Sequence, residues 1–159
     1  MNIKNVLGIG FFLSLSFFSL YSMYESLQEK QEQFMDNIYG NNLNIVRVLL
    51  NEGLNPDFYW GSSHITPLMA AVSDNNYDIV QVLLAYEADP NLARKIDSRP
   101  FYEAALRNNI PIMKLLIQNK ADWKIHYNAI VYGTGKYITE TTKKWLEEYA
   151  TEQEELKNQ

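Results

Sequence analysis

The sequence predicts an all-α chain: a short helical repeat solenoid, preceded by a hydrophobic helix and closed by a C-terminal helix. Three observations carry this. Similar stretches recur at 41–56 (NNLNIVRVLLNEGLNP), 75–90 (NNYDIVQVLLAYEADP) and 108–123 (NNIPIMKLLIQNKADW). Their spacing is near constant, with 34 positions from Ile45 to Ile79 and 33 from Ile79 to Ile112. Residues Val6 to Met23 form a run without a single charge. A fixed period of this length marks stacked supersecondary units, each hiding its apolar side on the next.

The N-terminal element is a targeting segment. Eighteen residues at about 1.5 Å each reach roughly 27 Å, just enough for a hydrocarbon core of about 30 Å. Lys4 precedes the run, and Glu25 and Glu29 come after it. That bias keeps the N-terminus in the cytoplasm and exports the chain beyond Met23. A cleaved signal peptide wants small residues one and three positions before the cut. Ser22 has Leu20 behind it and Ser26 has Tyr24, so the pattern favours an uncleaved anchor while cleavage stays open. The chain thus divides into 1–25 (signal or anchor), 26–127 (repeats) and 128–159 (cap helix and acidic tail).

Each part of the repeat has a physical reason. An Asn pair between two helices occupies a left-handed turn at lower cost than most residues. The Ile-Val-x-x-Leu-Leu pattern after it places apolar groups on one helical face. Gly53 stands where a residue just past a helix end belongs, and Pro111 in a first helical turn, where its missing N–H costs nothing. Upstream of the second and third helices lie TPLMAAVSD at 66–74 and RPFYEAALR at 99–107. With the period, these resemble the T-P-L-H-x-A-A signature of ankyrin repeats over roughly Glu32 to Tyr127. The first repeat has EQFMDNIYG at 32–40, without the proline. Met69 and Tyr102 replace the family's histidine, and His64 and Asp97 its hairpin glycine.

A repeat stack must be closed at its ends. Ser26-Leu-Gln-Glu29 fits a capping box that would start a helix into the first repeat, unless that helix continues from the anchor. Residues 128–138 break the period; after Thr139 comes a helix whose Trp145, Leu146 and Tyr149 would cover the last repeat. Beyond Tyr149 the sequence is acidic and polar, so fraying is expected. Docking of a partner is the alternative use of this aromatic helix.

Composition bounds the function. A net charge of −5 argues against nucleic-acid binding, and the absence of cysteine excludes disulfides, thiolate metal sites and a cysteine nucleophile. Gly133-Thr-Gly135-Lys136 mismatches the phosphate loop, having Ile130 and Tyr137 at the positions that matter, and Ser63-His64 lacks an orienting third group. No cofactor, metal or catalytic set is expected. The alternative is a hydrolase whose groove carboxylates are Asp36, Asp74 and Glu103.

The resemblance implies a protein partner, bound by the concave side of the short first helices and by the hairpin tips. By position the concave residues are Asp36 and Tyr39, then Ser73 and Asp74, then Glu103, Leu106 and Arg107. The tips carry Tyr59, Trp60 and His64, then Arg94, Lys95 and Asp97. Phe58 aligns with Leu92 and Ile125 and is expected to pack between repeats. Exposed Trp, Tyr and Arg are the side chains most often found as hot spots, although Trp60 could instead fold onto the stack. The Asn-, Ile- and Lys-rich style reads as bacterial and places the repeats on the periplasmic side of the inner membrane. Small exported bacterial members of the family imply, by analogy only, an immunity or escort protein for a secreted toxin or lipase. A general envelope scaffold is the other reading.

Overall fold

The computed structural model describes the backbone of residues 3–93, 99–133 and 137–158, with side chains from residue 19 onward. Its helices are α1 (Ile3–Tyr39), α2 (Leu43–Asn51), α3 (Pro67–Ser73), α4 (Tyr77–Ala85), α5 (Pro100–Leu106), α6 (Ile110–Gln118), α7 (Lys124–Val131) and α8 (Glu140–Lys157). The pairs α1–α2, α3–α4, α5–α6 and α7–α8 each pack together. They stack with the end of α1, α3, α5 and α7 as an inner row and α2, α4 and α6 as an outer row.

The local chemistry is as the sequence predicts. Pro67 and Pro100 open the inner helices, and Thr66 caps α3 by accepting the Met69 N–H at 3.1 Å. Asn41, Asn75 and Asn108 each sit at φ 55°, the left-handed conformation that asparagine tolerates. Gly53 (φ 86°) ends α2, while Glu87 (φ 63°) and Lys120 (φ 68°) take the same strained position after α4 and α6. In each case the next residue's N–H returns to the helix: Leu54 to Leu49, Ala88 to Leu83 and Ala121 to Leu116. The paired alanines, Ala70–Ala71 and Ala104–Ala105, are buried, which lets adjacent pairs approach closely.

Two ladders of hydrogen bonds stitch the repeats together. The Asn76 amide donates to Asn41 Oδ1 (2.7 Å) and the Asn109 amide to Asn75 Oδ1 (3.2 Å), so the asparagines that make the turns also join one turn to the next. On the other side of the stack the Asp57 carboxylate accepts the Asp89 N–H (3.0 Å), and Asn91 Oδ1 accepts the Asp122 N–H (2.8 Å).

Several expectations need correction. Of the two alternatives at Ser26, the helix does not start there but continues from the preceding segment, as α1 runs unbroken through it. The expected break at 128–138 is in part helical: residues 128–131 belong to α7 (Lys124–Val131), which lies against α5 as α5 lies against α3. With α8 it makes a fourth, degenerate pair. α8 keeps the register: Leu146 comes 33 residues after Met113, as Met113 does after Val80, and all three are fully buried. Helix α8 also continues past Tyr149 to Lys157 instead of fraying. Most of Val6–Met23 and the Gly135–Lys136 segment lie outside the residues described with side chains. Among the described residues no helix is long and apolar enough to cross a membrane.

Candidate functional site

The ends of the inner helices and the Asn turns after them form one continuous strip, and the predicted concave residues lie on it. In the first two repeats the strip is open. A cleft of about 570 Å³ is lined by Ile38, Tyr39, Asn41, Asp74, Asn75, Asn76, Tyr77 and Asp78. Tyr39 is 52% exposed and Tyr77 41%, so two phenol rings stand beside the exposed carboxylates Asp74 and Asp78. Partial burial, and then the charge of Asp74, hold the Tyr39 phenol above its usual pKa. At neutral pH it is therefore a neutral donor. Asp36, one helical turn earlier on α1, is exposed as well.

The second half of the strip is chemically satisfied from within. Glu103 Oε1 accepts from the Ser73 hydroxyl (3.2 Å) across the repeats and pairs with the Arg107 guanidinium (2.9 Å) one turn on. Ser73 and Glu103 thus serve to join α3 to α5, and Leu106 is half-buried against the core. The hydrolase alternative asks Asp36, Asp74 and Glu103 to act together, and Glu103 is engaged elsewhere. Among the described residues no group of His, Asp or Glu is arranged to hold a metal ion.

The first hairpin tip is stiff. Trp60 and Ile65 exchange two backbone hydrogen bonds (2.8 and 3.2 Å) around a turn in which Gly61 (φ 64°) and His64 (φ 51°) are left-handed. His64 Nδ1 lies 2.9 Å from the Ser62 carbonyl, and its ring meets Tyr59 edge-on at 6.4 Å. Tyr59 stays exposed, whereas Trp60 is half-buried. Its indole lies edge-on to Phe58, which rests on Phe34. Trp60 therefore belongs to the underside of the tip and not to its exposed surface. Phe58 packs between repeats as its alignment implies, but Ile125, set on α7, is 40% exposed. Arg94, Lys95 and Asp97 lie outside the described residues.

The structure adds Tyr77 and Asp78 to the strip. Their signal was present in the sequence: Leu43-Asn44 and Ile110-Pro111 come after their Asn pairs where the second repeat has a phenol and an acid.

Comparison with known proteins agrees with this geometry. The ankyrin-repeat family pattern (three copies) matches residues 25–94. An ankyrin repeat protein of fowlpox virus is 37% identical over 86 residues, covering 54% of this chain and 20% of its own length. The ankyrin repeat and KH domain-containing protein mask-1 of Caenorhabditis elegans is 29% identical over 91 residues, 57% of this chain and 4% of that protein. Human 2-5A-dependent ribonuclease is 34% identical over 75 residues, 47% of this chain and 10% of the enzyme. The chain thus spans a fifth or less of the length of these relatives, and the likeness is to their repeats. The helix pairs, the left-handed Asn turns and this match together identify the repeats of this chain as ankyrin repeats, which are protein-binding modules.

Proposed function

We propose that this chain is an exported, membrane-tethered adaptor that grips a protein partner along the strip from Tyr39 to Asp78. The observation that carries the reading is the open cleft of about 570 Å³ between the first two repeats, where Tyr39 and Tyr77 stand beside Asp74 and Asp78. Aromatic rings supply contact area at low entropic cost, and the surrounding carboxylates favour a partner segment with basic residues. Export and tethering rest on the uncharged Val6–Met23 run between Lys4 and Glu25. On that reading the repeats face the periplasm of a bacterial cell. The resemblance to small exported members of the family adds a role in neutralising or escorting a secreted toxin or lipase.

The test uses the full chain solubilised from membranes, wild type beside Tyr39→Ala/Asp74→Asn, with co-purifying proteins identified by mass spectrometry. One stoichiometric partner, lost from the variant, is the expected result. Equal recovery with both, or only abundant envelope proteins, contradicts the reading. A reporter enzyme fused after Gln159 checks topology: activity on the cytoplasmic side overturns export.

A further inference from the structure

Along the outer row α2 packs on α4 and α4 on α6, but α8 stands off from α6 and leaves a cleft of about 370 Å³. The register explains the gap. Val82 and Leu115 seal the seam to the preceding outer helix at 5% and 8% exposure. The position 33 residues after Leu115 is Glu148. A carboxylate is costly to bury where the earlier repeats bury an apolar side chain, and Glu148 stays exposed with Lys144 Nζ 3.7 Å from its Oε1, so the seam does not close. One wall is Lys114, Ile117 and Gln118; the other is Trp145, Glu148, Tyr149 and Glu152.

The cleft has the chemistry of a cation site. The Trp145 and Tyr149 rings stack at 5.8 Å and 20°, and Tyr149 meets Trp123 edge-on at 5.4 Å, which fixes both rings. A cation already lies there: Lys114 Nζ is 5.9 Å from the centre of the Trp145 ring. Leu146, fully buried beside Trp145, is the main closing residue of the stack, and Trp145 packs against the core only in part. Trp145 and Tyr149 are left half-buried, facing two carboxylates on the same side of α8.

We propose that this cleft is a second partner-binding site, built to receive an arginine side chain from a protein partner. The guanidinium lies on the Trp145–Tyr149 rings and its charge is met by Glu148 and Glu152, while Lys114 is a placeholder that moves aside. Arginine fits better than lysine because its planar, weakly hydrated group stacks on rings and pairs with carboxylates in a fork. Only the class of partner rests on the proposed function, since the cleft is on the outer row and the Tyr39–Asp78 strip is not.

Calorimetric titration of the full chain in non-ionic detergent, with octa-arginine and octa-lysine peptides as probes, tests it. Octa-arginine is expected to bind saturably, about tenfold tighter than octa-lysine. Glu148→Gln/Glu152→Gln and Trp145→Ala each weaken octa-arginine about tenfold or more. Lys114→Ala tightens it, which a merely structural role for Lys114 does not explain. Because Trp145→Ala could loosen α8, the two exposed glutamates are the decisive pair. Equal binding of both peptides, no effect of the glutamate substitutions, or weakening by Lys114→Ala overturns the proposal. If Asp74→Asn/Asp78→Asn alone removes the binding, the cation sits in the inner strip; the outer-row site then fails while the proposed function survives.

Discussion

At one end of the stack α2 turns Ile45 and Val48 outward, 39% and 49% exposed; at the other α8 removes Leu146 from solvent altogether. The same register positions are involved in the first case as in the buried seams, for Ile79 and Ile112 are fully covered and Val82 and Leu115 nearly so. Apolar residues at equivalent places in equivalent helices are thus not equally deep. What differs is the neighbour. A seam residue is buried only where another outer helix lies against it, and among the described residues none lies against that face of α2. The C-terminal end is closed instead by a helix pair that kept the core position and gave up the seam.

The largest effect should come from that closing residue. Leu146→Ala is expected to cost about 3 kcal/mol in chemical denaturation, whereas Val48→Ala on the open face stays within about 0.5 kcal/mol. Similar losses at both sites would erase the contrast between the ends.

The turn asparagines sharpen it further. Asn108 serves its left-handed turn and three contacts to the closing segment: the Tyr137 carbonyl (2.7 Å), the Thr139 N–H (2.7 Å) and the Thr142 hydroxyl (3.0 Å). Asn41 serves its turn and one rung, from Asn76. Asn108→Ala should therefore cost about 3 kcal/mol and Asn41→Ala about 1.5–2 kcal/mol. Glycine at either position should recover the backbone share, about 1 kcal/mol, and leave the hydrogen bonds lost. Full rescue by glycine would show that the ladder contributes nothing.

Gains are expected where the inner repeats are strained and the first is not. Glu87→Gly and Lys120→Gly relieve the left-handed position that Gly53 fills in the first repeat, each stabilising by about 0.5–1 kcal/mol. Thermal denaturation showing no gain would mean the side chains offset their own strain.

The smallest effect depends on pH. Burial raises the Asp57 carboxyl above its ordinary 3.8, opposed by the hydrogen bond from Asp89 N–H and reinforced by the Asp89 charge. A raised pKa means that the folded state resists ionisation. The associated stability is complete below the ordinary value and is lost as pH climbs through the raised one. Asp57→Asn keeps an acceptor for Asp89, as Asn91 does for Asp122, and removes this slope. The variant should gain on the wild type between acid and neutral pH; a constant difference would contradict the assignment.

Much of this was legible in the sequence, and the omissions have physical causes. The period, the Asn turns, the proline starts and the closing role of Leu146 arise from local patterns that repeat along the chain. The rungs from Asn76 to Asn41 and from Asn109 to Asn75 do not, because they depend on how far one repeat rises above the next. Helix α7 escaped because it begins at Lys124, directly after the turn that ends α6, without the hairpin that precedes α3 and α5. In the candidate site, repeat position alone is enough to place Asp74 and Tyr39 on the same strip. That Glu103 is shared between Ser73 and Arg107, and that Trp60 rests on Phe58, required side-chain geometry.

The central claim is that the inner strip grips a protein. Photo-crosslinking amino acids placed in the full chain in living cells, at Tyr39 and Asp78 on the strip and at Arg47 and Gln81 on the exposed side of the outer row, test it directly. A single adduct of one mass from the strip positions, absent from the outer pair, is the predicted result. Adducts of equal yield from both sets, or none from Tyr39 and Asp78, would contradict the account.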